Sequence, residues 1–139
     1  MNTQQVSIRR LLRLAAAAGI WDNLAGAVYV SLVKGMTASI SSIVMALALA
    51  LLVTNRRLIE RLEARPITRM HMGVFAVVAL FGGMLNWWGI STKSLFILGE
   101  LYVPTLVHDL GSIGTVILCA ALFWESLRLG LRLGDGSAR

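Results

Sequence analysis

The sequence predicts an all-α fold, a four-helix transmembrane bundle forming a single domain. The 139 residues are 57% hydrophobic with a mean hydropathy of +0.75, and the charged residues fall in a few short stretches. Four apolar segments reach or approach the ~20 residues that a membrane-spanning helix needs. These segments are Leu14–Val33, Met36–Val53, Met70–Ile90 and Thr105–Leu127.

The basic residues predict the orientation of these helices. Eleven of the thirteen Lys and Arg residues precede the first span, lie between the second and third, or follow the fourth, and only Lys34 and Lys93 lie in the other two loops. By the positive-inside rule, both termini and the central loop are cytoplasmic. We therefore expect an integral protein of the bacterial inner membrane whose charged partners are anionic lipids. Nucleic acid is not an expected partner, because no basic patch is interleaved with aromatic residues.

The connections between the spans differ in character. Only Lys34 and Gly35 separate the first two spans, which predicts an antiparallel helical hairpin. The central segment 54–69 is rich in Arg and Glu, and its register predicts that the second helix continues into the cytoplasm as far as Arg65, where a proline follows. The outer loop 91–104 is too apolar for a solvated loop, so we expect it to lie in the interface or to fold over the bundle as a lid.

The two halves of the chain share a pattern. The first and third spans each carry an asparagine close to Trp and Gly, namely Asn23 and Asn86, and the second and fourth spans each begin with small or polar residues. This similarity suggests duplication of a two-helix hairpin.

Asp22 and Asn23 lie near the middle of the first span. A charge at the bilayer centre costs at least ~2.5 to 3.5 kcal/mol on insertion scales, so Asp22 should face protein or water, or be protonated. Gly19 and Gly26 flank the pair at helical spacing and allow a neighbouring helix to approach closely. Two interpretations stay open, an interhelical hydrogen bond that stabilises the bundle and a catalytic or proton-carrying role.

His108 begins the fourth span, beside Asp109. His108, Gly111, Ser112 and Thr115 share one helical face, so a flat ligand could approach the imidazole over residues with small side chains. An axial haem ligand needs such an arrangement. The alternative is an interfacial histidine that bonds to a headgroup or to the outer loop.

The other polar and aromatic candidates favour structural roles. His71 lies at the end of its span opposite to the other histidine, ~30 Å away, so the two histidines of one chain cannot hold one haem. Glu125 lies at the inner boundary and is expected to pair with an arginine. Trp87 and Trp88 are typical of an interfacial aromatic belt, although they could wall a pocket for an aromatic substrate. The single cysteine, Cys119, excludes an internal disulfide and a thiolate metal cluster.

Two segments resemble a known family. Gly19–Gly26, with the order Gly-Ile-Trp-Asp-Asn-Leu-Ala-Gly, is similar to the first helix of the small four-helix membrane isomerases, styrene oxide isomerase and hydroxylaminobenzene mutase. His108–Thr115 resembles the family's His-x-x-Gly-x-x-Asn-Gly segment. It lies in the fourth span, where the family has it in the second, and Gly114 stands where the family has asparagine.

The resemblance implies a membrane-embedded isomerase or mutase that acts on a small apolar, aromatic, oxygen-containing substrate. It further implies haem b as a Lewis acid at a subunit interface of a homo-oligomer, a trimer in the epoxide isomerase. The residues that would carry these roles are His108 as the iron ligand, Gly111 and Thr115 beside the haem, Asn23, Asn86 or Tyr102 to orient substrate, and Asp22 to brace Asn23. Two alternatives stay open, a small proton-coupled transporter that uses Asp22, and a non-catalytic haem- or quinone-associated membrane subunit.

Overall fold

The computed structural model describes residues 3–64, 68–92, 95–97, 100–102 and 106–135. Helices make up nearly all of this part of the chain. In order, the elements are α1 (Thr3–Lys34), a 3-10 helix (Met36–Ser39), α2 (Ile40–Thr54), α3 (Arg56–Glu63), α4 (Arg69–Thr92), β1 (Leu95–Ile97), β2 (Glu100–Tyr102) and α5 (Leu106–Asp135).

Three of these helices are long and apolar enough to cross a membrane. The segments that qualify are Ile8–Val33 in α1, Arg69–Ser91 in α4 and Leu106–Leu133 in α5. A fourth crossing results if α2 and α3 are counted as one bent span. The prediction of an all-helical chain with several helices suited to crossing a membrane is therefore confirmed, with three or four candidate spans.

The tight turn between the first two spans is present where the sequence predicts it. Gly35 has a φ of 89°, a left-handed conformation that favours glycine, and its N–H donates to the carbonyl oxygen of Ser31 at 3.0 Å. The Ser31 hydroxyl also donates to the buried Ser39 hydroxyl at 2.8 Å. These contacts turn the chain so that α2 packs against α1.

The second span differs from the prediction. The helix does not run unbroken to Arg65; it ends at Thr54, and α3 begins at Arg56, after the single residue Asn55, at an angle of 70°. Asn55 causes the break because its backbone is extended and its side-chain oxygen accepts from the N–H of Leu58 at 3.2 Å, which makes Asn55 the N-cap of α3. The prediction of a continuous helix was wrong because the competing capping role of this asparagine was overlooked.

The helices lie side by side in the order α2, α1, α5, α4. α5 lies between α1 and α4, and α1 lies between α5 and α2. Within the described residues, α2 makes at most marginal contact with α4 or α5. Only Ala46 of α2 is buried, whereas most of its large apolar side chains are exposed. Lipid solvates such side chains as well as protein does. No hydrophobic force therefore requires α2 to pack against α4 and close the four helices into a bundle.

A small apolar core lies on both sides of α5. Its buried members are Leu11, Met72, Ala79, Leu122 and Leu129. Through this core, α5 packs against α4 and against the first half of α1.

The outer loop contains a short antiparallel β-hairpin that the sequence analysis did not predict. β1 and β2 pair with Leu95 opposite Tyr102, Phe96 opposite Leu101 and Ile97 opposite Glu100. The side chains of this loop lie outside the described residues, so its expected role as a lid stays a prediction.

Candidate functional site at the α1–α5 seam

Polar side chains pair along the whole contact between α1 and α5, which we call the polar seam. The helices are antiparallel, so residue numbers rise along α1 as they fall along α5. One end pairs Arg10 with Glu125, whose atoms Nη2 and Oε1 are 3.2 Å apart. The middle pairs Asp22 with Thr115. The other end places Tyr29 against His108.

The middle of the seam is a hydrogen-bonded cluster. The Thr115 hydroxyl lies 3.1 Å from Oδ1 of Asp22 and 3.2 Å from the carbonyl oxygen of Gly111, and it donates to either acceptor. The indole N–H of Trp21 donates to the same carbonyl oxygen at 2.8 Å. Thr115 is only 4% exposed, whereas Asp22 remains exposed. One carboxylate oxygen is thus held by a buried hydroxyl while the carboxylate as a whole stays accessible.

Asp22 also lies deep in its span. It follows Ile8 by about 21 Å and precedes Val33 by about 17 Å at 1.5 Å per residue. The sequence has no Lys or Arg between Arg13 and Lys34, and none within the apolar part of α2, α4 or α5. The carboxylate therefore has no fixed positive charge at its own depth.

The exposed carboxylate lies on a small-residue face of α1. Ala15, Gly19, Asp22 and Gly26 share one helical face by their spacing. A Cβ on Gly19 would lie 2.8 Å from the Leu49 side chain of α2, whereas a Cβ on Gly26 would meet no atom within 4 Å. Thr115 of α5 bonds to the carboxylate, and the Leu49 side chain of α2 meets this face at Gly19; we call the exposed face between these two contacts the carboxylate groove.

The small-residue face around His108 is not open in the protomer. A Cβ on Gly111 would lie 2.5 Å from the Cβ of Ala25, and the Trp21 indole covers Gly114. The residues that were expected to leave room for a flat ligand instead allow α1 to approach α5 closely.

His108 itself lies inside the seam. Its side chain is 11% exposed, its ring centroid is 5.1 Å from that of Tyr29 at an interplanar angle of 59°, and its Nδ1 lies 3.7 Å from Oδ1 of Asp109. With the adjoining small-residue face filled by α1, the described residues of one protomer do not fit a haem on His108.

The two candidate asparagines are tied to their own helices. The Asn23 amide donates to the carbonyl oxygen of Gly19 at 2.8 Å, and the Asn86 amide donates to that of Gly82 at 3.1 Å. Both bonds reach back four residues to a glycine, which is a local similarity between the two halves. Because α1 and α4 make at most marginal contact in the described chain, the structure does not bring the two amides together. The side chain of Tyr102 lies outside the described residues.

The remaining candidates have structural partners. His71 caps α4, since its Nδ1 accepts from the Thr68 N–H at 3.2 Å and lies 2.7 Å from the Thr68 hydroxyl. Glu125 pairs with Arg128 at 3.9 Å, as expected, and more closely with Arg10. Among the described residues, no three His, Cys, Asp or Glu side chains cluster as a metal site would require.

An apolar cavity lies between α4 and α5, away from the polar seam. It is open to one side and about 640 Å³ in volume, and Trp87, Trp88, Cys119 and Phe123 are among the residues that line it. Its volume is in the range of small-molecule sites. The two tryptophans therefore wall a cavity as well as lying near the end of their span.

Sequence reasoning found Asp22 and Thr115 separately but did not pair them. It also missed the hydrogen bond from Trp21 to Gly111 and the proximity of Arg10 to Glu125. The available signal was the antiparallel spacing of polar residues along the first and fourth spans.

The comparisons with known proteins add no relative. No protein family, no curated protein and no solved structure matches the chain.

Proposed function

We propose that this protein is a small proton-coupled membrane carrier in which Asp22 binds either a proton or a lipid-soluble organic cation. The supporting observation is an exposed carboxylate near the middle of a candidate membrane span, held at one oxygen by the buried Thr115 hydroxyl. Ionisable groups at this depth are costly and are typical of substrate and proton pathways.

The exchange balances in charge and in protons. With no cation bound, the carboxyl group carries a proton and is neutral. A cation that enters the carboxylate groove displaces this proton to water on the side from which the cation came, and the carboxylate–cation pair is again neutral. The Thr115 hydroxyl, 3.1 Å from Oδ1, supplies a hydrogen-bond donor to the carboxylate. Each state thus avoids an uncompensated charge, which would be costly in lipid.

The surroundings select the class of substrate. The carboxylate is the one acidic side chain in the apolar part of α1, and no Lys or Arg shares its depth. The helices beside the carboxylate groove are apolar, so a hydrophobic molecule is favoured over a hydrated ion. We expect the carrier to act as a homo-oligomer, because the Asp22 side chain is exposed within the protomer.

Transport in proteoliposomes tests this function. A pH gradient with the acidic side inside the vesicles should drive uptake of tetraphenylphosphonium, the probe cation. Asp22→Asn should reduce uptake to the rate of protein-free vesicles. Asp109→Asn is the matched control, because it makes the same chemical change on α5 outside the groove, and it should retain uptake. Equal loss in both variants, or uptake in Asp22→Asn that still depends on the pH gradient, would contradict the proposal.

A second candidate function is the isomerase or mutase that the family resemblance implies. The apolar cavity beside Trp87 and Trp88 favours it, since about 640 Å³ accommodates a small aromatic substrate. Its haem-dependent form, in which a subunit interface would have to complete the site that one protomer lacks, requires a Soret absorption band in protein expressed with haem, a band that His108→Ala abolishes and His71→Ala retains. Absence of the band in the purified wild-type protein would exclude the haem-dependent form of this function.

A further inference from the structure

A basic pocket lies at the end of the protein where α1 begins and α2 gives way to α3. It has a volume of about 290 Å³. We call it the arginine pocket, and it is lined by Arg9, Arg13, Val53, Arg56, Ile59 and Glu60. Three guanidinium groups and one carboxylate leave it with a net formal charge of two positive.

The bend at Asn55 creates this pocket. Arg9 and Arg13 are four residues apart and therefore lie on one face of α1. Because α3 turns by 70° from the direction of α2, it contacts α1 and carries Arg56 to that face. A helix continuing straight along α2 would carry the later residues of this segment away from α1.

The helix α3 has the composition of a segment that lies along a membrane surface. Leu58, Ile59 and Leu62 are half-buried, whereas the charged residues Arg56, Arg57, Glu60 and Arg61 are exposed. Such an amphipathic helix places its apolar side chains at the acyl boundary and its charged side chains at the headgroups. Arg9 and Arg13 flank the beginning of the first candidate span, so the pocket lies at the same boundary.

We propose that the arginine pocket binds the phosphate group of an anionic phospholipid. Guanidinium groups bind phosphate oxygens through two parallel hydrogen bonds, and three arginines line this pocket. Val53 and Ile59 supply apolar surface beside the charges, which suits an amphiphile better than an inorganic ion. The site is independent of the carboxylate groove and of the carrier function.

Native mass spectrometry of the full-length protein in detergent with added phosphatidylglycerol or phosphatidylcholine tests the proposal. The wild type should retain phosphatidylglycerol selectively. The double variant Arg13→Gln with Arg56→Gln should lose at least about tenfold in retained phosphatidylglycerol, equivalent to ~1.4 kcal/mol. The matched control, Arg57→Gln with Arg61→Gln, removes the same charge from α3 outside the pocket and should retain the lipid.

Further variants separate geometry from charge. Replacing Arg13 and Arg56 by lysine keeps the charge but removes bidentate bonding, so retention should fall between the wild type and the glutamine pair. Glu60→Gln removes the negative charge from the pocket and should increase retention. Far-UV circular dichroism checks that each variant is folded, and the Glu60→Gln gain cannot arise from unfolding.

Three results would overturn the proposal. Equal loss in the pocket pair and the control pair would mean general attraction to anionic lipid. Equal retention of phosphatidylcholine and phosphatidylglycerol by the wild type would remove the selectivity. Displacement of the lipid by inorganic phosphate at the lipid's own concentration would assign the pocket to the free ion.

Discussion

Gly111→Ala should force α1 and α5 apart. The added Cβ would lie 2.5 Å from the Cβ of Ala25, whereas carbon atoms in contact are ordinarily ~3.5 to 4.0 Å apart, so the helices must separate by about 1 Å. Overpacking of this kind costs about 1 to 3 kcal/mol. The separation would also stretch the bonds from Trp21 to Gly111 and from Thr115 to Asp22, which are 2.8 and 3.1 Å long.

Gly73→Ala is the matched control for this variant. A Cβ on Gly73, in the helix α4, would meet no atom within 4 Å, so the control gains the same helix propensity without a clash. Unfolding in mixed dodecyl sulfate micelles, followed by far-UV circular dichroism, measures both free energies. Gly111→Ala should be about 1 to 3 kcal/mol less stable than the control.

Ala25→Gly tests the cause of the difference. It removes the Cβ that the new methyl group meets and leaves the Ala25 Cα at 3.7 Å, an ordinary contact. In a double-mutant cycle, the two substitutions should show a favourable coupling of about 1 to 2 kcal/mol. Equal stability of Gly111→Ala and Gly73→Ala, or a coupling near zero, would refute the close approach of α1 and α5 at this position.

Three further predictions address the ends of the helices. Arg10→Gln removes the nearest cation from Glu125 but leaves Arg128 beside it, and since the Arg10 side chain is 66% exposed the loss should be up to about 1 kcal/mol in the same unfolding assay, with Glu125→Gln restoring part of it. His71→Ala removes a cap of α4 and should cost about 1 kcal/mol; no loss would show that the bond to the backbone is dispensable. Reporter fusions at Arg61 and at the C-terminus should both indicate the cytoplasm and a fusion near Ser94 the opposite side, and a reversed pattern would overturn the orientation.

The sequence predicted the membrane helices well because hydropathy is local. A run of apolar residues shows that a segment suits lipid whatever its neighbours are, and a glycine between two such runs, at Gly35, marks a turn. The same local logic identified Asp22 and His108, since any ionisable group in an apolar run is conspicuous. It failed at Asn55, where a polar residue in a charged segment gave no hydropathy signal for the break.

Only the tertiary structure decided which helices are neighbours and which faces meet. In a soluble protein, the apolar face of a helix indicates where its partner lies, but in a membrane helix all faces are apolar and lipid competes equally for each of them. Sequence therefore could not show that Thr115 bonds to Asp22, or that Gly111 and Gly114 receive Ala25 and Trp21 instead of a ligand. Those contacts depend on the antiparallel register of α1 and α5, which is set by the fit of small residues between two helices.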